Sequence, residues 1–497
     1  MPPRSWLADL RSRLGGGGAR SDGLGILAFE AAATMSRLVS LHRTLSDAEF
    51  RRLRADVLRA EGVARLTSAD QSFLLRLACA ELVADLDRAA AAVARLAAAR
   101  CRAGAAAEAA PLPLLRDFDR LYADAKHGRL AQLDSAVGFS RGAGKRLRKM
   151  ERHVAAAARL YEEMDALREL EASERRMEQW KQHSGPIIPS SHSHTAAQGK
   201  KKPTAAEPGE KLMRELRAQR QKVRRLMEGS LWSADAARAA SLMAKSVLVV
   251  LARISIAFGA FVPGLPSLTT AGRALPLGYS SGPLHRSVPP GAALRHSAPI
   301  FGQKDTTALS VFEPIKPSPS TIGGSGMELR YANVIMSVET LLAALRPMPP
   351  AATAGGGGEE VQEEGMIDLS KRDGLYKMLP VTIRDAVNAK LRESWRGQHA
   401  AAGVGEAAAA AARGEVEAAL RWLAPMARDT VRWSDERSME RGQRFSMQPR
   451  AFMVQTLHFA DRRKADAAIV DLLVSLSCVC WYDDERRRLE SVDWDDE

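Results

Sequence analysis

The chain has few aromatic and cysteine residues, and these shortages exclude whole classes of protein. Aromatic residues make up 5% of its 497 residues, and its four cysteines are Cys79, Cys101, Cys478 and Cys480. Four unevenly spaced thiols do not build the disulfide framework of a small secreted domain. Cys478 and Cys480 also lack a second Cys or His pair at the spacing of a zinc site. We therefore expect buried thiols in a reducing compartment, with no bound metal and no cofactor.

Hydrophobic runs long enough for a targeting or membrane segment are also missing. The N-terminus, Met1 to Arg4, has no apolar signal core. Pro2 stands where N-myristoylation requires glycine. The most apolar stretch, 246–262, is interrupted by Arg253 and is shorter than the roughly 20 residues of a membrane span. We expect a soluble intracellular protein without a transmembrane span.

Apolar residues at helical spacing are abundant. They make up 46% of the chain, and in segments rich in Ala, Leu and Arg they recur every three or four residues, whereas the period-2 alternation of strands is absent. Short connections between such helices are typical of bundles. The sequence therefore predicts an all-α protein with two helical-bundle domains joined by long disordered linkers. Its net charge of +13 permits anionic partners.

Stretches rich in Pro, Gly and Ser divide the chain, and we expect linkers where they lack periodicity. The predicted segments are a basic amphipathic N-terminal segment (1–23), an N-terminal helical domain (24–182), a linker (183–209), a basic helix with an apolar helix (210–262), a disordered linker (263–320), a C-terminal helical domain (321–482) and an acidic tail (483–497).

Two capping motifs mark helix starts in the predicted N-terminal domain. Ser46 to Glu49 is typical of a capping box, in which the Ser46 side chain accepts from the Glu49 amide. Ser68 opens the same pattern before a longer helix. Between them, Gly62 is expected to end a helix.

A basic amphipathic helix is predicted over 211–227, with seven Lys or Arg residues, one acidic residue, and an apolar stripe that includes Leu216 and Val223. Such a helix can bind an acidic surface of lipid, nucleic acid or protein. Alternatively, its apolar stripe packs on the apolar helix that follows and its charges are solvated. The candidate interaction residues are Lys200, Lys201, Lys202, Arg217, Arg220, Arg224 and Arg225.

A glycine-rich turn, Gly323 to Gly326, runs into a helical pattern. Helix N-terminal amides can bind phosphate, but a P-loop requires a Lys-Ser or Lys-Thr pair and a preceding strand. Met327 and Glu328 follow here instead. We therefore favour a helix-entry turn with tight backbone packing. No Ser/His/Asp or Cys/His set is recognisable, and His458, in a predicted apolar helix, is expected to be a satisfied core or boundary residue.

The stretch 432–437 (Arg-Trp-Ser-Asp-Glu-Arg) is charged and aromatic. It suits a binding surface, and equally Trp422 and Trp433 suit packing between helices. Pro425 is expected to kink or divide the helix that contains it, because proline removes a backbone donor.

Motifs in both ordered regions resemble the plant PSK-simulator family. In the N-terminal half they are 24–30, 45–47, 61–63, 149–152 and 230–232. In the C-terminal half they are 323–326, 331–335, 375–380, 422–427 and 455–461. The family-motif residues are Gly323, Gly324, Gly326, Tyr331, Asn333, Tyr376, Leu379, Pro380, Trp422 and Pro425.

The resemblance implies a non-enzymatic plant regulator or scaffold that promotes growth and is linked to phytosulfokine peptide-hormone signalling. It implies two domains of undefined molecular action, and nuclear or plasma-membrane association. Some family members begin with Met-Gly and look myristoylated. Pro2 makes this chain similar to the shorter, non-myristoylated branch.

Two other functions remain open at this point: a nucleotide- or phosphate-binding enzyme that uses the Gly323–Gly326 turn, and a nucleic-acid-associated nuclear protein. The expected partners are other proteins, including signalling components; nucleic acid is a further candidate without a recognised motif. Weak peripheral membrane contact is expected through Trp6, Leu7 and Leu10. We expect nuclear residence, with the cytoplasm and the plasma-membrane periphery as further compartments.

Overall fold

A computed structural model describes residues 24–102, 113–183, 208–266, 316–345, 369–398, 405–437 and 444–492. Within these ranges every regular element is a helix, and the β-pairing is one isolated bridge between Thr321 and Asp461. The predicted all-α class is confirmed. The segment 1–23, Lys200 to Lys202, and most of the linkers 183–209 and 263–320 lie outside the described residues.

The described residues form two compact units, each assembled from separate stretches of the chain. The first contains 24–39, 86–102, 113–183 and 208–250, and the second contains 40–85, 251–266, 316–345, 369–398, 405–437 and 444–492. Residues 40–85, from the predicted N-terminal domain, thus belong with the C-terminal residues. The predicted segments follow one another along the chain, whereas the two units are assembled from separate stretches. The predicted boundaries therefore stay predictions.

The described residues contain fifteen α-helices. They are α1 (Leu27–Thr44), α2 (Asp47–Arg52), α3 (Glu61–Leu66), α4 (Gln71–Arg102), α5 (Pro113–Arg116), α6 (Phe118–Asp124), α7 (Leu130–Val137), α8 (Ala143–His183), α9 (Pro208–Glu228), α10 (Ala236–Phe258), α11 (Glu328–Ala344), α12 (Leu369–Met378), α13 (Val381–Gln398), α14 (Glu406–Arg437) and α15 (Arg462–Val492). A single π-helical turn occurs at Leu53–Val57, and 3-10 turns occur at Gly323–Ser325, Met453–Gln455 and Leu457–Phe459. Between α6 and α7 the backbone is kinked at His127 and at Gly128, which has φ +92°.

Local capping explains where several of these helices begin. The Ser46 side chain accepts from the Glu49 amide at 3.4 Å, as predicted. The predicted cap at Ser68 is wrong. Asp70, not Ser68, caps α4, because its Oδ1 accepts from two amides of the first turn at 2.9 and 3.3 Å. Gly62 does not end a helix either; it lies buried in the first turn of α3.

Aromatic packing and a polar anchor organise the first unit. The Phe29 ring makes edge contacts with Tyr161 of α8 and Trp232, at centroid distances of 5.4 and 6.0 Å. The Tyr122 hydroxyl of α6 donates to Asp87 of α4 at 2.8 Å. Edge-to-face aromatic pairs add specificity to apolar burial, so the Phe29 contacts join α1 to α8, and the Tyr122 hydrogen bond joins α6 to α4.

The second unit is built around α11, α14 and α15, whose apolar stripes are buried. The side chains of Ile335, Leu423 and Leu476 represent the three stripes, with exposures of 0%, 0% and 4%. The Asp461 amide, just before α15, donates to the Leu66 carbonyl of α3 at 2.8 Å. This backbone contact brings residues from the two ends of the sequence into one core.

Two helices are long and apolar enough to span a membrane by length and composition. They are α10 and the part of α15 from Arg462 to Arg486, with 72% and 39% of their apolar windows buried in the protein. A core helix passes the same test, so this is weak evidence of a span, and the expectation of none stays a prediction. Arg253 of α10 is itself accommodated: its guanidinium donates to the Leu45 carbonyl at 2.8 Å.

The cysteines are only partly as expected. Cys79 is fully buried, and burial raises the pKa of its thiol to about 12. Cys478 and Cys480 are half-buried on α15, so the prediction of buried thiols is wrong for this pair. Helical geometry places residues two apart on different faces, so a single stripe cannot bury both.

Candidate functional site

The glycine-rich turn is filled by its own chain. A Cβ at Gly323 would lie 2.4 Å from His458 Nδ1, and one at Gly324 would lie 2.0 Å from the Ser318 carbonyl oxygen. Gly326 has φ +65°, in the left-handed region that favours glycine. The glycines are therefore required by close backbone packing, which fits the predicted helix-entry turn and leaves no open cradle for a phosphate.

A charged and aromatic cluster lies against this turn. His458 Nδ1 is 3.5 Å from Glu328 Oε1, and the His458 ring is 5.3 Å from the Trp433 ring. Burial works to raise the pKa of the Glu328 carboxyl, but contact with His458 and a hydrogen bond from the Glu328 backbone amide together outweigh burial and hold that pKa below its usual range. Both side chains are largely buried, at 13% and 17% exposure. His458 is thus a boundary residue, as predicted. It lies in the 3-10 turn Leu457–Phe459 and not in an apolar α-helix, and its Nδ1 has no hydrogen-bond partner among the described residues, so the predicted helix and the predicted satisfied side chain are wrong.

Two tyrosines of the family motifs anchor helices to α15. The hydroxyl of Tyr331, on α11, donates to Asp466 at 2.5 Å, and burial together with that carboxylate raises the Tyr331 pKa to about 12. The hydroxyl of Tyr376, on α12, lies 3.2 Å from the Ser477 hydroxyl. These motif residues therefore position helices within the core.

Other motif residues divide between core and surface. Leu379 and Pro380 are buried, and the Leu379 carbonyl accepts from the Arg330 guanidinium at 3.2 Å. Asn333 and Pro425 are exposed.

The helix around Pro425 is neither broken nor divided, since α14 runs unbroken from Glu406 to Arg437. The ring lies on the exposed side of that helix, where water can bind the carbonyl that loses its donor.

Gly62 and Trp422 make a close backbone contact between α3 and α14. A Cβ at Gly62 would lie 2.5 Å from the Trp422 carbonyl oxygen, so only glycine fits. The Arg65 guanidinium covers the Trp422 ring at 5.2 Å from its centroid. The motifs that contain Gly62 and Trp422 were recognised in the sequence, but the contact between these two residues was not predicted.

A deeply buried acidic residue in this region is Glu81 of α4, which sequence reasoning missed. Its carboxylate accepts from Arg437 at 2.6 Å, from the Met453 amide at 2.6 Å and from Trp433 Nε1 at 3.4 Å. The Arg437 guanidinium also lies 3.8 Å from Asp85. Burial raises the pKa of Glu81 more than these donors lower it. Glu81 and Asp85, four residues apart on the buried face of α4, were the available signal.

An irregular segment, 444–460, is held by side chains of α1, α4 and α14. Ser40 donates to the Gln448 carbonyl at 2.6 Å, and Arg43 donates to the Met447 carbonyl at 3.0 Å. Further contacts join the Arg450 amide to Thr44 Oγ1 (3.2 Å), the Ala451 amide to Glu436 (2.8 Å) and the Leu457 amide to Thr430 Oγ1 (3.0 Å). Buried backbone groups without secondary structure need such partners, so the polar side chains are used to pack the fold.

Little of this region can serve chemistry. Among the described residues there is no group of three His, Cys, Asp or Glu side chains placed to hold a metal ion. A recess beside Arg52 and Arg432 holds about 10 Å³, room for one water. A neighbouring groove of about 470 Å³, lined by Met336 and Val431 among others, is open to solvent. Small-molecule sites bury most of their ligand, and neither of these two recesses is both large and enclosed.

The basic helix α9 packs on α8. One expectation was that it packs on α10, the apolar helix that follows it, and this expectation is wrong. Arg220 lies 3.1 and 3.5 Å from Glu171 and Glu174, and Lys222 lies 2.7 Å from Glu163. Part of its charge is thus neutralised by α8. The remaining candidate residues on α9, Arg217, Arg224 and Arg225, are exposed.

Two family models match the chain. One, described as "Domain of unknown function (DUF3475)", matches residues 26–82, and the other, "Protein of unknown function (DUF668)", matches residues 321–432. Gly62 and Glu81 lie in the first match, and Gly323 and Trp422 in the second. The second unit therefore packs most of one matched segment against the other.

Curated relatives carry the same resemblance over nearly the whole chain. Protein PSK SIMULATOR 1 of Arabidopsis thaliana is 26% identical over 466 residues, covering 91% of this chain and 55% of the relative. Protein PSK SIMULATOR 3 is 24% identical, covering 91% and 56%, and Protein PSK SIMULATOR 2 is 22% identical, covering 96% and 62%. The chain thus spans little more than half the length of the curated relatives it matches. No solved structure matches it.

Proposed function

Since the chain belongs to the family of the PSK SIMULATOR proteins, we propose that it is a non-enzymatic regulator or scaffold of plant growth in phytosulfokine peptide-hormone signalling. The observation that carries this proposal is the packing of the two matched segments in the second unit. There the residues best suited to chemistry, His458, Glu328 and Glu81, are occupied by contacts within the chain. Such a unit presents a shaped surface to other proteins rather than a reaction site.

The proposal is tested by expressing the chain in Arabidopsis thaliana plants that lack the PSK SIMULATOR proteins and measuring growth. We expect growth to increase, and to stay low with Gly324→Val, which forces a side chain into the packed turn. Gly414→Ala is the matched control, because a Cβ there meets nothing within 4 Å. A chain that accumulates to normal levels without promoting growth would contradict the proposal.

The enzyme alternative has its own measurement. The purified chain is incubated with ATP or GTP in the presence of Mg²⁺, and released phosphate is quantified. We expect no turnover, because the turn that would bind phosphate is filled by Ser318 and His458. Turnover that disappears with Gly324→Ala but persists with Gly414→Ala would establish the alternative.

A second candidate function, association with nucleic acid in the nucleus, is supported by the exposed arginines of α9. If Arg217, Arg224 and Arg225 each contact a phosphate, their replacement by Gln should make the slope of log affinity against log salt shallower by about 0.9 per residue. The matched control replaces exposed arginines on other helices, Arg148 and Arg421. No binding to DNA or RNA at low salt would remove this candidate.

We further propose nuclear residence, with weak peripheral membrane contact, other proteins as partners, and Lys200 to Lys202 as the import signal. These lysines follow one another directly in a Pro- and Lys-containing stretch, a composition typical of import-receptor recognition. A fluorescent fusion with the three lysines changed to Ala should lose nuclear accumulation. Unchanged accumulation would show that the triplet is not the signal, and exclusion of the unmutated chain from nuclei would defeat the proposal.

A further inference from the structure

Helix α8 carries a second apolar stripe in its last part, separate from the face that packs on α9. The residues of this stripe occur at alternating spacings of four and three, which places them on one helical face. They are Ala166, Leu170, Ser173, Met177 and Trp180. The face toward α9 is different: it contains Met164 and Leu167 and continues into Glu171 and Glu174, which pair with Arg220.

The two faces differ sharply in burial. Met164 and Leu167 are 3% and 1% exposed. On the second stripe, Leu170 and Met177 are only half-buried and Trp180 is 60% exposed. A large aromatic residue at heptad spacing with other apolar residues, and left in solvent, is typical of a helix that pairs with another helix.

The stripe is complementary to itself when two copies run antiparallel about Ser173. Ala166 then lies opposite Trp180 of the second copy, so the smallest side chain faces the largest. Leu170 lies opposite Met177, and Ser173 lies opposite Ser173. A parallel pair would instead place Trp180 on Trp180 and Ala166 on Ala166, which gives a clash at one end and a void at the other.

The charges that flank the stripe favour the same arrangement. Glu169 and Arg176 are both exposed, and their spacing of seven residues places them on one flank of the stripe. In the structure Arg176 donates to Ser173 Oγ at 3.0 Å. An antiparallel pair brings Glu169 of each copy opposite Arg176 of the other, so that two equivalent ion pairs form by symmetry.

We propose that residues 166–180 of α8 form an antiparallel, two-fold helix pair with the same segment of a second copy of this chain. The segment is about 21 Å long at 1.5 Å per residue. Two heptads bury less surface than the about 1,200–2,000 Å² of a stable interface, so the pair is of the weak class and forms in the micromolar range. This self-association does not depend on the proposed function.

The test is sedimentation equilibrium of the full chain between about 1 and 100 μM. Glu169→Arg and Arg176→Glu should each weaken association about tenfold, because each places like charges opposite one another at two symmetric positions. The double variant should restore it, since the opposite charges are again paired. Arg175→Glu is the matched control, because it makes the same charge change on the other side of the helix. A chain that stays monomeric, or a double variant weaker than both single variants, would refute the proposal.

Cysteine cross-linking tests the orientation. Ser173→Cys lies on the two-fold axis and should cross-link to the second copy under mild oxidation. Ala166→Cys should not, because the two copies of that position lie about 21 Å apart in an antiparallel pair. The unmutated chain controls for the native cysteines. Equally efficient cross-linking at both positions would show a parallel pair, and cross-linking at neither would argue against association through this face.

Discussion

Removing Arg437 from beside Glu81 should destabilise the second unit in a way that depends on pH. The Glu81 side chain is 7% exposed and that of Arg437 is 24% exposed, so the pair is shielded from solvent. Arg437→Met keeps much of the side-chain volume but leaves Glu81 without its cation. Two donors remain, the Met453 amide at 2.6 Å and Trp433 Nε1 at 3.4 Å.

Breaking a buried ion pair by removing one partner costs about 3–5 kcal/mol. We expect about 3 kcal/mol, the lower end, because Arg437 is partly exposed and the remaining donors still stabilise the carboxylate. A cooperative unit of about 150–250 residues loses about 2–4 °C in Tm per kcal/mol. The variant should therefore melt roughly 6–12 °C below the unmutated chain at pH 7.5.

The loss should shrink on acidification. Because the folded-state pKa of Glu81 lies above its usual 4.5, the folded chain binds this proton more readily than the unfolded chain. The contribution of Glu81 to stability is therefore largest below pH 4.5 and falls as the pH rises through the folded-state pKa. Without Arg437 that pKa rises further, so the difference in Tm between the variant and the unmutated chain should be smaller at pH 5 than at pH 7.5.

Differential scanning calorimetry at the two pH values measures both effects, with circular dichroism to confirm helical content. Arg421→Met, an exposed arginine of the same helix, is the matched control and should shift Tm by less than about 2 °C. Adding Glu81→Gln to Arg437→Met should recover part of the loss, because Glu81 is then neutral and Asp85 is the one buried carboxylate left beside the substituted position. A loss equal at both pH values, or a double variant that recovers nothing, would refute this reasoning.

Two further predictions concern the glycine turn and the tyrosine anchor. Gly324→Ala should lower stability by about 2–3 kcal/mol, because a Cβ there would lie 2.0 Å from the Ser318 carbonyl oxygen. Gly414→Ala, inside α14 and facing open space, should instead raise stability by about 0.5–1 kcal/mol. Equal effects of the two variants in thermal unfolding would contradict the packing argument. Tyr331→Phe should cost about 1.5 kcal/mol, because it removes a hydrogen bond to the charged Asp466, which keeps its ion pair with Arg462 at 3.8 Å. In a spectrophotometric titration it should also remove a phenol whose pKa is about 12, and an unchanged titration would count against the assignment.

Much of the helical architecture could be predicted from the sequence because its signals are local. The basic helix predicted over 211–227 lies within α9, which runs from Pro208 to Glu228. The Ser46 cap was equally readable. The cap at Asp70 was misassigned because Ser68 and Asp70 can both act as caps, and only the backbone path decides between them.

The contacts of the site were harder to predict from the sequence, because they join distant parts of the chain. The motifs marked Gly323, Tyr331 and Trp422 as positions of interest, and their roles then followed from packing. The burial of Glu81 could not be read in this way, since an acidic residue in a helical pattern is usually exposed. Its partners on α14 and in the segment 444–460 lie more than 350 residues away in the sequence.

The sequence by itself determined the helical class, the positions of the main helices and the family, because periodicity, caps and motifs are properties of neighbouring residues. Only the tertiary structure decided which helices share a core. It assigned residues 40–85 to a unit with the C-terminal helices, placed α9 on α8 instead of α10, and closed the glycine turn around His458. The physical reason is that apolar stripes specify that a face is buried but not which partner buries it. Shape and charge complementarity over long sequence separations make that choice.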